Sequence, residues 1–78
     1  MAGLLDVRDM QCAQALAQAS HAIKPLAVGQ ALEVLGNASD VKNDLLVWAR
    51  ELGHAVLANQ ARRDEWVVTI RKGQEADA

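Results

Sequence analysis

Residues 3–24, GLLDVRDMQCAQALAQASHAIK, change their apolar period part-way along, and that change decides the fold. Over residues 3–8 the period is that of a strand, with Leu5 and Val7 on one face and Leu4, Asp6 and Arg8 on the other. From Cys12 to Lys24 it becomes helical: Cys12, Ala15, Leu16, Ala19 and Ile23 fall on one face at steps of three and four. Pro25 closes that helix, because a residue preceding proline avoids the helical region. Residues 25–29 then form a loop.

The same alternation continues outward. Residues 30–35 read as a second strand with Leu32 and Val34 inward. A turn over residues 36–39 can cap a second helix, Asp40 to Leu52, whose shared face is Val41, Leu45, Trp48, Ala49 and Leu52. Gly53 stands where a left-handed residue ends a helix. Strands over residues 54–60 and 64–72 flank a polar turn at Arg62-Arg63, and the last strand puts Trp66, Val68 and Ile70 on one face. The order is βαβαββ. It predicts an α+β fold: a two-layer α/β sandwich with a four-stranded mixed sheet and both helices on one face. Residues 1–73 make one domain, and residues 74–78 form a polar, disordered tail.

Composition narrows the function. The 78 residues carry a net charge of −2, which gives no broad electrostatic case for DNA or an acidic membrane. Trp48 and Trp66 are the only aromatics, so there is no outward platform on which RNA bases could stack. No apolar run is long enough to span a bilayer, and the N-terminus meets a charge too early for a signal peptide. A single cysteine forbids an internal disulfide and fits a reducing, cytoplasmic setting.

That cysteine, Cys12, is the candidate catalytic residue. At a helix start it meets unpaired N–H groups and the positive end of the helix dipole, both of which favour the thiolate. Its plain alternative is a small buried residue without chemistry. His21 is nine residues from Cys12, too far along a helix to share an ion, and His54 reads as an exposed strand-start residue; no metal or other cofactor is expected. Arg8, Arg71 and Lys72 are either ordinary surface charge or a small basic patch near the cysteine loop, placed to steer a partner or stabilise an anionic sulfur. The apolar run Leu45 to Ala49 around Trp48 either packs into the core or, since five consecutive apolar residues exceed what one helix face buries, leaves Leu46 or Val47 open to a partner. Asp6, Asp9, Asp40 and Asp44 have the spacing of caps and surface charges, and no triad, carboxylate pair or phosphate loop is present, so any turnover needs a second protein.

Asp6-x-Arg8 with Cys12 opening a helix, Gly29-x-x-Leu32-x-Val34, Asp44-Leu45, Gly53-His54-x-Val56 and the terminal Ile70-Arg71-Lys72 together resemble the TusA-type, or SirA-like, sulfur-carrier family over residues 4–73. The resemblance implies the same βαβαββ sandwich. It also implies a sulfur relay, in which Cys12 takes sulfane sulfur as a persulfide from a cysteine desulfurase or rhodanese-type donor and passes it to a thiol acceptor protein. The family's Cys-Pro-x-Pro motif reads Cys12-Ala13-Gln14-Ala15 here. Without the first proline the helix is free to begin earlier, with Asp9 as its cap; that carboxylate would raise the Cys12 thiol above the family's usual range. Loss of the motif prolines also supports an alternative, a degenerate member acting as a non-catalytic interaction or regulatory module.

Overall fold

The computed structural model describes residues 3–73. Its elements follow the expected order: β1 (Gly3–Asp6), α1 (Cys12–Ile23), β2 (Ala31–Gly36), α2 (Ser39–Glu51), β3 (Ala55–Ala61) and β4 (Trp66–Arg71). The sheet order is β1-β2-β4-β3. β1 pairs parallel with β2, through Gly3 opposite Leu32 to Asp6 opposite Leu35. β4 lies antiparallel between β2 and β3, with a bulge in β3 between Val56 and Ala58. The sheet is therefore mixed. The two βα units point the same way, so α1 and α2 both begin at one end of the sheet.

The core follows from the two periods. β2 contributes Leu32 and Val34, and β4 contributes Trp66, Val68 and Ile70; α1 contributes Ala15, Ala19 and Ile23, and α2 contributes Val41, Leu45 and Ala49. Alanine at Ala15, Ala19 and Ala49 keeps both helices close to the sheet without interrupting helical backbone. Ile23, Leu45 and Ile70 are fully buried, each removed from water at a gain of about 2 kcal/mol. The opposite sheet face mixes charged and apolar groups, including Glu33, Leu35, Val67 and Thr69, and Leu4 is 68% exposed there. Among the described residues no helix is long and apolar enough to cross a membrane.

Several local expectations are corrected. β1 stops at Asp6; Val7 leaves the strand, yet its N–H donates to the Leu35 carbonyl (2.8 Å) and its side chain is buried. Asp9 does not cap α1. It adopts a left-handed backbone (φ 63°), the cap is Gln11, and no side chain bonds into that cap. The helix starts at Cys12 despite Ala13. His54 is 5% exposed rather than open to solvent. Gly53 (φ 84°) ends α2 with N–H bonds from Gly53 to the Arg50 carbonyl and from His54 to the Ala49 carbonyl, and this reversal folds His54 inward. The His54 ring lies 5.6 Å from that of Trp48, and its Nδ1 accepts the Gly73 N–H (3.0 Å). Gly73, the last residue of the expected domain, is thus held; the expected tail, residues 74–78, lies outside the described residues. Along the α2 apolar run, Leu45 and Ala49 are buried, Leu46 and Trp48 half-buried, and Val47 is 50% exposed.

One glycine is set by packing. Gly36 pairs with Trp66, and a Cβ there would overlap the Trp66 ring. The Trp66 Nε1–H donates to the Ala38 carbonyl (3.0 Å), which fixes the ring beneath the entry to α2. We predict that Gly36→Ala lowers the urea unfolding free energy by about 2 kcal/mol, because the ring must shift from the position its bond to Ala38 holds. An unchanged midpoint would show that Trp66 is free to swing away.

Candidate functional site

Cys12 is the first residue of α1, half-buried at the end of the sheet where β1 and β2 both finish. The loop that delivers it, residues 7–11, is held from two sides. Arg8 folds back on Asp6: its N–H donates to Asp6 Oδ1 (3.0 Å) and its guanidinium donates to the same carboxylate at 2.8–3.2 Å. The guanidinium also reaches Glu65 Oε2 (3.0 Å), tying the loop to the residue before β4. The paired Arg8 holds the Asp6 carboxyl below its usual range. Asp9 and Asn37 form a reciprocal pair, with Asp9 N–H donating to Asn37 Oδ1 and Asn37 Nδ2 to Asp9 Oδ1, both at 2.9 Å. This pair links the cysteine loop to the loop before α2 and uses the left-handed turn at Asp9. An open groove lined by Asp6, Arg8, Asp9, Met10, Asn37 and Glu65 runs beside it.

The electrostatics at the sulfur come from α2. Asp40 and Asp44 lie one helical turn apart, in step with the buried Val41 and Leu45. Asp44 is the largest influence on Cys12; partial burial and the charge of Asp40 add to it, and together they push the thiol up to about 11. A helix N-terminus alone would act the other way. Here the carboxylates and partial burial oppose it, and the thiol form is favoured at neutral pH. The expectation of a weakly acidic thiol agrees with this direction, but its assigned cause, Asp9, is replaced by Asp44 and Asp40.

The other candidates separate. Arg8 and Asp9 lie at the Cys12 end, each engaged as described. Arg71 pairs with Ala31 at the start of β2, because β4 runs antiparallel to β2. Lys72 follows it, and its Nζ donates to the Lys24 and Leu26 carbonyls (2.8 Å each) at the far end of α1. Arg71 and Lys72 are therefore at the opposite end of the sheet from Arg8, so of the two readings the shared basic patch does not form. Among the described residues no group of three or more His, Cys, Asp or Glu side chains is arranged to hold a metal ion. Sequence reasoning took Asp40 and Asp44 for caps and surface charge; their spacing of four beside two core positions was the available signal that both lean toward a neighbouring element.

Replacing Asp44 by Asn should lower the Cys12 pKa by more than one unit, read from the ultraviolet absorbance of the thiolate during a pH titration. Asp9→Ala should leave that titration in place, since Asp9 is bound to Asn37. The reverse pattern would return control of the thiol to Asp9.

Residues 4–72 match the family described as Sulfurtransferase TusA. A Bacillus subtilis (strain 168) protein named "Putative sulfur carrier protein YrkI" is 31% identical over 70 residues, covering 90% of this chain and 93% of its own. An Archaeoglobus fulgidus protein named "Putative sulfur carrier protein" is 25% identical over 69 residues, covering 88% of this chain and 94% of its own. With the match spanning nearly every described residue and the βαβαββ sandwich in place, the chain belongs to the TusA sulfurtransferase family.

Proposed function

We propose that this chain is a sulfur carrier that holds sulfane sulfur as a persulfide on Cys12, loaded by a donor protein and unloaded by an acceptor thiol. One observation carries the reading: the chain's only cysteine opens α1 at the edge of the domain with its side chain partly exposed. In loading, Cys12 Sγ attacks the terminal sulfur of a donor persulfide. An Sγ–S bond forms as the donor's own S–S bond breaks, and the departing donor thiolate takes up the proton that Cys12 gives up. Unloading repeats the exchange, with an acceptor thiolate attacking the terminal sulfur and Cys12 leaving. No external oxidant or reductant enters. Family membership supports the reading, and cysteine desulfurases and rhodanese-type proteins are the donor chemistries it implies. Residues 1–73 act as one such domain, in the reducing cytoplasm.

A second reading is favoured by the carboxylates. A thiol held near 11 is a poor attacking group at neutral pH because so little is ionised, and it is also a poor leaving group. A family member kept for docking alone would tolerate this.

Intact mass separates the two. After incubation with a cysteine desulfurase and cysteine, the carrier gains one sulfur atom, reductant removes it, and Cys12→Ser abolishes the gain. An unchanged mass against both desulfurase and rhodanese donors would leave the docking module.

A further inference from the structure

The basic residues of this chain are unevenly spread. Three of its eight Lys and Arg, namely Lys42, Arg62 and Arg63, line one open groove together with Trp66. Among the described residues no side-chain hydrogen bond or ion pair engages any of the three. Arg8, by contrast, is closed on Asp6 and Glu65. That pairing takes up the Glu65 carboxylate, so among the described residues Asp64 is the one acid of the groove without a cation. The Arg62 N–H donates to the Glu65 carbonyl (2.7 Å) and closes the turn between β3 and β4. Both arginines are therefore carried on a fixed hairpin end with their side chains exposed, and Lys42 faces them half-buried from α2. At 3.6 residues per turn, Asp40 and Asp44 lie about 160° around that helix from Lys42, which keeps them off the groove side. The groove stands at the Cys12 end of the sheet, where Gly36 of β2 pairs with Trp66 of β4. It shares Asn37 and Glu65 with the groove beside the cysteine loop.

We propose that the groove bounded by Lys42, Arg62 and Arg63 docks an acidic, Asp- and Glu-rich segment of the protein that exchanges sulfur with Cys12. The partner's part in sulfur exchange rests on the carrier reading above; the groove's preference for carboxylates does not. Three unengaged cations around one concavity complement a short run of carboxylates, and no internal acid competes with that run except Asp64. A nucleic acid fits less well. The chain's net charge is −2, and Trp66 is 5% exposed, so it offers bases no face on which to stack. Charge of this kind steers the encounter and sets the orientation of the complex more than it adds affinity. With the acidic segment seated here, the rest of the partner lies over the loops that lead into α1 and α2, where its reacting sulfur can meet that of Cys12.

The test follows backbone amide signals of the full, unloaded chain by NMR at low ionic strength while decaglutamate is added as the acidic probe. Saturable shifts should concentrate at residues 37–42 and 61–66 and should fade as salt is raised. R62E/R63E alters only exposed turn side chains and keeps the backbone bond that closes the hairpin. Reversing both charges should weaken decaglutamate binding about tenfold. Arg71→Glu, at the opposite end of the sheet, should leave it unchanged. Absence of saturable shifts, or equal weakening by Arg71→Glu and R62E/R63E, overturns the groove as a docking site. A decauridine RNA that binds the same residues more tightly than decaglutamate overturns the assignment of an acidic protein segment. Neither probe carries sulfur, so these outcomes are separate from the mass experiment that tests the carrier itself.

Discussion

The parallel pairing of β1 with β2 is the constraint from which the site follows. Each strand feeds a helix, so parallel strands force both helix N-termini to the same end of the sheet. Cys12 opens one of these helices, and Asp40 lies in the first turn of the other. An acidic residue in a first turn complements its own helix dipole. Here Asp40, which suits the start of α2, and Asp44 one turn further on are brought by topology to the end of the sheet where the thiol begins α1. The Asp9–Asn37 pair reinforces that proximity by joining the two loops that lead into the helices.

Two effects of opposite sign therefore meet at one sulfur. The dipole and free N–H groups of α1 favour the thiolate, whereas Asp44, Asp40 and partial burial favour the thiol. The net direction is upward, with Asp44 the largest of the influences on the thiol. The sulfur is consequently half-exposed, with its thiol held above the usual cysteine range. A relay protein gains from that combination: a sulfur carrier that ionised freely would be open to alkylation and oxidation between encounters.

Most of the architecture was legible in local pattern. The alternation of Trp66, Val68 and Ile70 survives as buried, as do Ala15, Ala19 and Ile23 of one helical face and Val41, Leu45 and Ala49 of the other, because one-sided burial enforces a period; Cys12, Leu16 and Trp48 are only half-buried and Leu52, at the end of its helix, is exposed. Gly53 was legible for a similar reason, since its left-handed turn is a local requirement. What failed to show was tertiary. Asp9 looked like a cap by position, but Asn37, 28 residues later, offers it two hydrogen bonds, and its backbone turns left-handed instead. His54 looked exposed until the end of α2 folded it against Trp48. Arg8, Arg71 and Lys72 shared a charge but not an end of the sheet, which only strand direction decides. Asp40 and Asp44 had no visible role until the helix they belong to was placed beside Cys12.

The central claim is that the sulfur of Cys12 is accessible in the folded protein and held as a thiol by its neighbours. Its most direct test is the pH profile of iodoacetamide labelling of the native wild-type chain. The account predicts labelling without unfolding, with a rate that climbs about tenfold per pH unit from neutrality and levels only as the thiol's raised pKa is approached. A rate already level below neutral pH, or labelling that appears only after denaturation, would contradict it.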